Sequence, residues 1–267
     1  MSISIETVRC DDFEMRFFRF GNGSRAFVIL PGLSVQSVMG AAADIAAAYA
    51  DFTGDYTVYV FDRRTELPER YSVYQMGLDT AAAMRALGLR DADIFGASQG
   101  GMMAQVIAIE APDLVRRLVL GSTTSRFKPE DAPLFEEWIR LARAKDGPAL
   151  YDAFGKAIYP EAVYAQYRDV LRAAGETVTD EDFQRFVILT EGIRGFDVTD
   201  KLDRIQCPTL VIGVYEDAVL ESDATMEIAV KLDEKPGFSL FLYTGYGHAA
   251  FDTAPDYRAR MLRFLRA

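Results

Sequence analysis

The chain opens with two runs in which apolar and polar residues alternate, Ile3 to Val8 and Phe13 to Phe20, with Asp11-Asp12 between them and Gly21-Asn22-Gly23 after them. Alternation of period two bounded by turn formers predicts an antiparallel hairpin. From Ala26 the pattern changes to short, uninterrupted apolar runs separated by helix-length stretches. That pattern predicts βαβ units and a parallel sheet covered on both faces. The first four such strands are Ala26 to Leu30, Tyr56 to Phe61, Asp93 to Phe95 and Leu118 to Gly121. Helices are predicted over Ser34 to Ala50, Ser72 to Leu87 and Gly100 to Ala111, the second stopped by Gly88 and the third by Pro112.

Between Ser122 and Ile205 the alternation ceases, and helical segments such as Leu134 to Ala144, Ala162 to Ala173 and Glu181 to Leu189 take its place. It resumes with a strand at Thr209 to Gly213, a helix at Ser222 to Leu232, a strand at Phe238 to Tyr243 and a last helix at Ala254 to Arg266. The expected organisation is one α/β core domain over residues 1–122 and 206–267, with a helical cap inserted over residues 123–205. A chain of 267 residues is long enough to bury the core this requires.

Composition narrows the class. Hydrophobic residues make up 50% and charged residues 26%, and no run approaches the roughly 20 apolar residues of a membrane span, so no membrane partner is expected. Met1 to Glu6 lacks the basic-then-apolar pattern of a signal peptide, so the expected location is cytoplasmic. A net charge of −11 repels phosphate backbones, and the arginines form no basic run, so nucleic acid is not an expected partner. Cys10 and Cys207 have neither metal-site nor disulfide-framework spacing. The expected partner is a small-molecule substrate; the sequence leaves the oligomeric state, a homodimer included, open.

The chemistry-bearing motif is Gly96-Ala97-Ser98-Gln99-Gly100, placed where a predicted strand runs directly into a predicted helix. This is the G-x-S-x-G nucleophile elbow, whose tight turn holds the serine hydroxyl clear of the sheet edge while the glycines admit the close approach of neighbouring backbone. A serine needs a base, and the chain has one imidazole, His248, in the loop after the last predicted strand. The base in turn needs a carboxylate to fix its tautomer. Asp217, after the strand ending at Gly213, is the first choice, with Glu216 and Asp223 as local competitors. A second possible acid position, just after the strand ending at Gly121, holds Ser122-Thr123-Thr124 and no carboxylate. Two backbone N–H groups are expected to face the developing oxyanion, those of Gln99 and of Leu33 in the loop after Leu30.

With the order Ser98, Asp217, His248 and the closing Gly247-His248 followed by a helix, nearly the whole chain resembles the α/β-hydrolase superfamily, in the group with a helical cap after the sixth strand. The resemblance implies an eight-stranded, mostly parallel sheet flanked by helices, neither cofactor nor metal, and acyl transfer to water through a covalent intermediate. Many relatives carry His-Gly where this chain has Pro31-Gly32, which leaves the bracing of the oxyanion loop to be found elsewhere. The glycine pattern often found after the Asp-Arg pair is also missing, since Arg64 is followed by Thr65-Glu66-Leu67.

Aromatic residues of the insert, among them Phe127, Phe135, Trp138, Tyr151, Phe154 and Tyr159, are expected mostly to pack it onto the sheet, with some lining a mainly apolar pocket. The expected activity is hydrolysis of a small, fairly hydrophobic ester. Acyl transfer, C–C bond hydrolysis, amide hydrolysis, cofactor-free peroxidase chemistry and a non-catalytic receptor role stay open at this level, because a fold hosts many chemistries.

Overall fold

The structure, a computed structural model, describes residues 3–267; Met1 and Ser2, the start of the N-terminal stretch read above, lie outside the described residues. Eight strands form one sheet: β1 (Ile5–Arg9), β2 (Glu14–Phe20), β3 (Arg25–Leu30), β4 (Tyr56–Arg64), β5 (Ala92–Ala97), β6 (Val115–Gly121), β7 (Thr209–Val214) and β8 (Ser239–Tyr243). Their spatial order is β1-β2-β4-β3-β5-β6-β7-β8. The β1–β2 and β2–β4 pairings are antiparallel and all the others parallel. The six strands from β3 to β8 therefore end at one edge, where ligand sites of open α/β sheets are built.

Successive residues of a buried strand face opposite layers. Phe27 and Ile29 of β3 join the apolar cluster that includes α1 (Ala42–Ala48) and α10 (Tyr257–Arg266). Val28 and Leu30 face the other cluster, with α2 (Val73–Ala86), α3 (Gln99–Glu110) and α8 (Glu221–Leu232). Four helices stand between β6 and β7: α4 (Ala132–Arg143), α5 (Gly147–Ile158), α6 (Glu161–Gly175) and α7 (Asp180–Glu191). An isolated bridge between Arg126 and Asp197 closes the neck of this insert. Phe135, Trp138 and Phe186 of the insert are buried in the same cluster as α2 and α3.

Three elements differ from expectation. The helix predicted over Ser34 to Ala50 is a loop as far as Ser37, a 3-10 turn over Val38–Ala41, and only then α1. Ser37 is held out of helical geometry by its own bonds: its Oγ accepts from Met39 N–H and donates to Asp62. Strand β4 runs three residues beyond Phe61, because Asp62, Arg63 and Arg64 find buried partners at the sheet edge. The last helix, predicted from Ala254, begins only at Tyr257 as α10, since Ala254, preceding Pro255, is extended at ψ 122°; a separate short helix, α9 (Ala250–Thr253), stands before it.

Candidate active site

The turn from β5 into α3 is as tight as the motif demands. Ser98 adopts φ 52° and ψ −122°, a conformation that non-glycine residues rarely hold and that persists only when its surroundings enforce it. Four hydrogen bonds do so. Ser98 N–H donates to Gly121 O (2.9 Å), while its carbonyl accepts from Gly101 N–H (2.8 Å), Met102 N–H (3.1 Å) and Thr123 Oγ1 (2.7 Å). The flanking glycines admit the backbone that passes beside the elbow. A Cβ on Gly100 would stand 1.9 Å from Leu30 O, and one on Gly96 would stand 2.3 Å from Gly100 O. Ser98 itself stays half-buried.

His248 lies in the loop after β8, and Asp217 in the loop after β7, on the same edge. His248 Nδ1 is 2.8 Å from Asp217 Oδ2 and 2.9 Å from Oδ1; an ionised carboxylate only accepts, so Nδ1 carries the proton. Both residues are buried. Asp217 Oδ1 also accepts from the N–H groups of Val219 (2.9 Å) and Leu220 (3.1 Å). Burial pushes the Asp217 carboxyl up, but His248 and the two backbone N–H groups outweigh it and hold the carboxyl below its ordinary value. Of the competing acids, Glu216 turns to Gly245 N–H (2.8 Å) and Asp223 to Lys128, so neither engages the imidazole.

Leu33 lies in the loop that leaves β3. A Cβ on Gly32 would be 3.2 Å from Ser98 Cβ and 3.8 Å from Ser98 Oγ, so this loop runs past the serine. Among the described residues neither Leu33 N–H nor Gln99 N–H, at the first turn of α3, has a backbone acceptor.

Beside Gly32 and Leu33 opens a cavity of about 770 Å³, bounded by residues 31–41 of the core and by α5. Ser98 and His248 are not among its lining residues, but Gly32, which lines it, lies against the serine. Its surface is mostly apolar, with Val35, Met39, Phe154, Ile158 and Phe251 contributing, and Tyr151 Oη crosses it to donate to Gln36 Oε1 (2.9 Å). Burial pushes the Tyr159 phenol up to about 12 and raises that of Tyr151, so both remain protonated donors at neutral pH. Of the aromatics of the insert, Tyr151, Phe154 and Tyr159 line it, whereas Phe135, Trp138, Phe183 and Phe186 are core and Tyr167 is exposed. Among the described residues no group of three or more His, Cys, Asp or Glu side chains is placed to hold a metal ion, and no helix is long and apolar enough to cross a membrane.

The model of the alpha/beta hydrolase family matches residues 27–260. The chain belongs to this family. A protein of Rhizobium rhizogenes (strain K84) provisionally named carbamate hydrolase RutD is 27% identical to this alpha/beta hydrolase over 223 residues, covering 80% of this chain and 84% of its own. A Mycobacterium tuberculosis protein provisionally named non-heme bromoperoxidase BpoC is 28% identical over 229 residues, covering 78% and 82%. In fold, the hydrolase superposes on MGS-M2, an alpha/beta hydrolase enzyme from a Medee basin deep-sea metagenome library, with a TM-score of 0.85 at 22% identity over 99% of this chain and 98% of that one. The enol-lactonase of Burkholderia xenovorans LB400 superposes at 0.82 with 20% identity, over 98% and 100%.

Two residues that sequence reasoning passed over stand at the end of β4, and one of them, Arg63, reaches the elbow. Arg63, 4% exposed, donates from Nη2 to Pro31 O (2.9 Å), Gly32 O (3.3 Å) and Gln99 Oε1 (2.7 Å). Asp62 accepts from Ser37 Oγ and from Arg185 of α7. Burial pushes Arg63 down to about 10, which leaves it charged at neutral pH. The available signal was an Asp-Arg pair at the carboxyl end of a parallel strand, the edge on which sites are built.

Proposed function

We propose that this protein is a serine hydrolase of small, fairly hydrophobic esters. Ser98 is the nucleophile, His248 the general base and Asp217 the carboxylate that orients it. The observation that carries the reading is the strained, half-buried Ser98 at the same sheet edge as a buried Asp217–His248 pair. With Nδ1 protonated toward Asp217, the other ring nitrogen is free to take the Ser98 proton. Attack on the acyl carbon then forms a tetrahedral oxyanion, held by the Leu33 and Gln99 N–H groups. Its collapse expels the alcohol, protonated by His248, and leaves an acyl-enzyme that a His248-activated water hydrolyses.

The helices of residues 123–205 act as a cap in this reading, and the largely apolar cavity beneath α5 receives the acyl or alcohol group. Relatives provisionally named carbamate hydrolases and the structurally similar enol-lactonase are named for carbamates and lactones, both of which carry an acyl carbon bonded to oxygen, and this supports the reaction class over the particular leaving group.

A fluorophosphonate probe is expected to label Ser98 and not Ser98→Ala, and the wild-type chain to hydrolyse short p-nitrophenyl esters. Absence of both labelling and hydrolysis in folded protein would sink the reading. Faster turnover of a carbamate or lactone than of an ester would change the substrate class and leave the mechanism standing.

A further inference from the structure

We propose that Arg63 is the positioning residue of the oxyanion loop, setting the direction of the Leu33 N–H; this rests on the assignment of Leu33 and Gln99 as oxyanion donors above. The loop 31–33 lies against Ser98, yet its first residue, Pro31, has no N–H with which to anchor it. Arg63 supplies the anchor from the end of β4, the neighbour of β3, through its bonds to Pro31 O and Gly32 O. Gly32 C=O and Leu33 N–H belong to one planar trans peptide unit, so they point in opposite directions. Holding the carbonyl toward Arg63 therefore turns the N–H away from it.

The same guanidinium group reaches the second donor. Gln99 Oε1 accepts from Arg63 Nη2 at 2.7 Å, and Gln99 Nε2 donates to Leu189 O of α7 at 2.7 Å. The side chain whose backbone N–H is the second donor is thus clamped between β4 and the insert. Farther along the loop, Asp62 binds both Ser37 and Arg185 of α7. Two consecutive residues of β4 so connect the oxyanion loop, the elbow and α7. The guanidinium touches no reacting atom; it acts through the two peptide N–H groups.

The test compares the wild-type chain with Arg63→Lys, Arg63→Met, Arg63→Ala and Gln99→Met, the last of which keeps the backbone N–H and loses the side-chain bonds to Arg63 and to Leu189 O. Ester kcat and KM are measured together with the inhibition constant of a trifluoromethyl ketone, which adds to the serine and places an oxyanion in the hole. Arg63→Met is expected to lower kcat about 10²-fold, the scale set by a misplaced catalytic group, and Gln99→Met about tenfold, with KM within about threefold. Inhibitor affinity should fall in parallel with kcat/KM, with Arg63→Lys between wild type and Arg63→Met. Methylguanidinium should restore part of the kcat of Arg63→Ala.

A lowered Tm with kcat and inhibitor affinity within about twofold of wild type would make Arg63 a packing residue only and overturn the proposal. If the Arg63 variants do not fold, unchanged inhibitor affinity in Gln99→Met overturns it. A wild type that neither hydrolyses esters nor takes the fluorophosphonate removes the triad reading and this role with it, whereas an active wild type with insensitive variants removes this role alone.

Discussion

Asp217 and Glu216 are neighbours of like chemistry, and their geometry separates them. Asp217 Oδ1 is engaged by two backbone N–H groups, so an asparagine at this position would keep its oxygen there and turn its NH2 toward His248 Nδ1. That forces the proton onto the other ring nitrogen, the wrong tautomer for a base. Asp217→Asn is therefore expected to cost about 10⁴-fold in kcat, while Glu216→Gln, which perturbs only an exposed bond to Gly245, should stay within about twofold; steady-state ester kinetics decides. Asp217 also ties stability to pH. Its folded-state pKa is depressed, so its contribution is present above the unfolded value of about 3.9 and is lost as pH falls through the folded value. The Tm advantage of wild type over Asp217→Asn should thus shrink between neutral pH and about pH 3.

At the scale of the element, the elbow exists because two strand ends and a helix start come within backbone contact. A methyl group on Gly100 would meet Leu30 O at 1.9 Å and Pro31 O at 2.6 Å, both main-chain atoms that cannot swing aside. Gly100→Ala should therefore cost about 3 kcal/mol or more in urea unfolding, the upper end for overpacking, and abolish probe labelling even where the protein folds. Gly54, whose added Cβ would meet nothing within 4 Å, serves as the control: Gly54→Ala should leave labelling intact.

For the whole molecule, the relation between the insert and the sheet governs how the chain unfolds. Trp138, the only tryptophan, lies on α4 within the insert and is buried in one continuous apolar cluster with α2, α3 and residues of the sheet. His248's loop is tied to the end of α5 as well, through Ala249 N–H to Ile158 O (2.9 Å). A shared core and shared hydrogen bonds predict a single cooperative transition. Tryptophan fluorescence, which reports the insert, and far-UV circular dichroism, which reports every helix, should give coincident thermal midpoints. A fluorescence midpoint well below the dichroism midpoint would show that the insert melts on its own.

Much of the fold was legible in the chain because it depends on periodicity and punctuation: the hairpin, the order of buried strands, the strand-to-helix passage at Ser98 and the helical interruption after Gly121 are all local patterns. Two of the three misread elements are those where a distant partner overrides local preference. Ser37 leaves the helix that its alanine-rich surroundings favour because Asp62 takes its hydroxyl, and Asp62 to Arg64 remain strand because buried acceptors and ions receive them. Sequence order allowed three acids beside one histidine, and only the pairing of β7 with β8 set Asp217 against it. The residue types, their order and the lone imidazole are thus properties of the chain by itself. Which acid meets the imidazole, what braces the loop past Pro31 and which aromatics line the cavity were decided by tertiary structure, because each depends on groups that become neighbours only when the sheet edge is assembled.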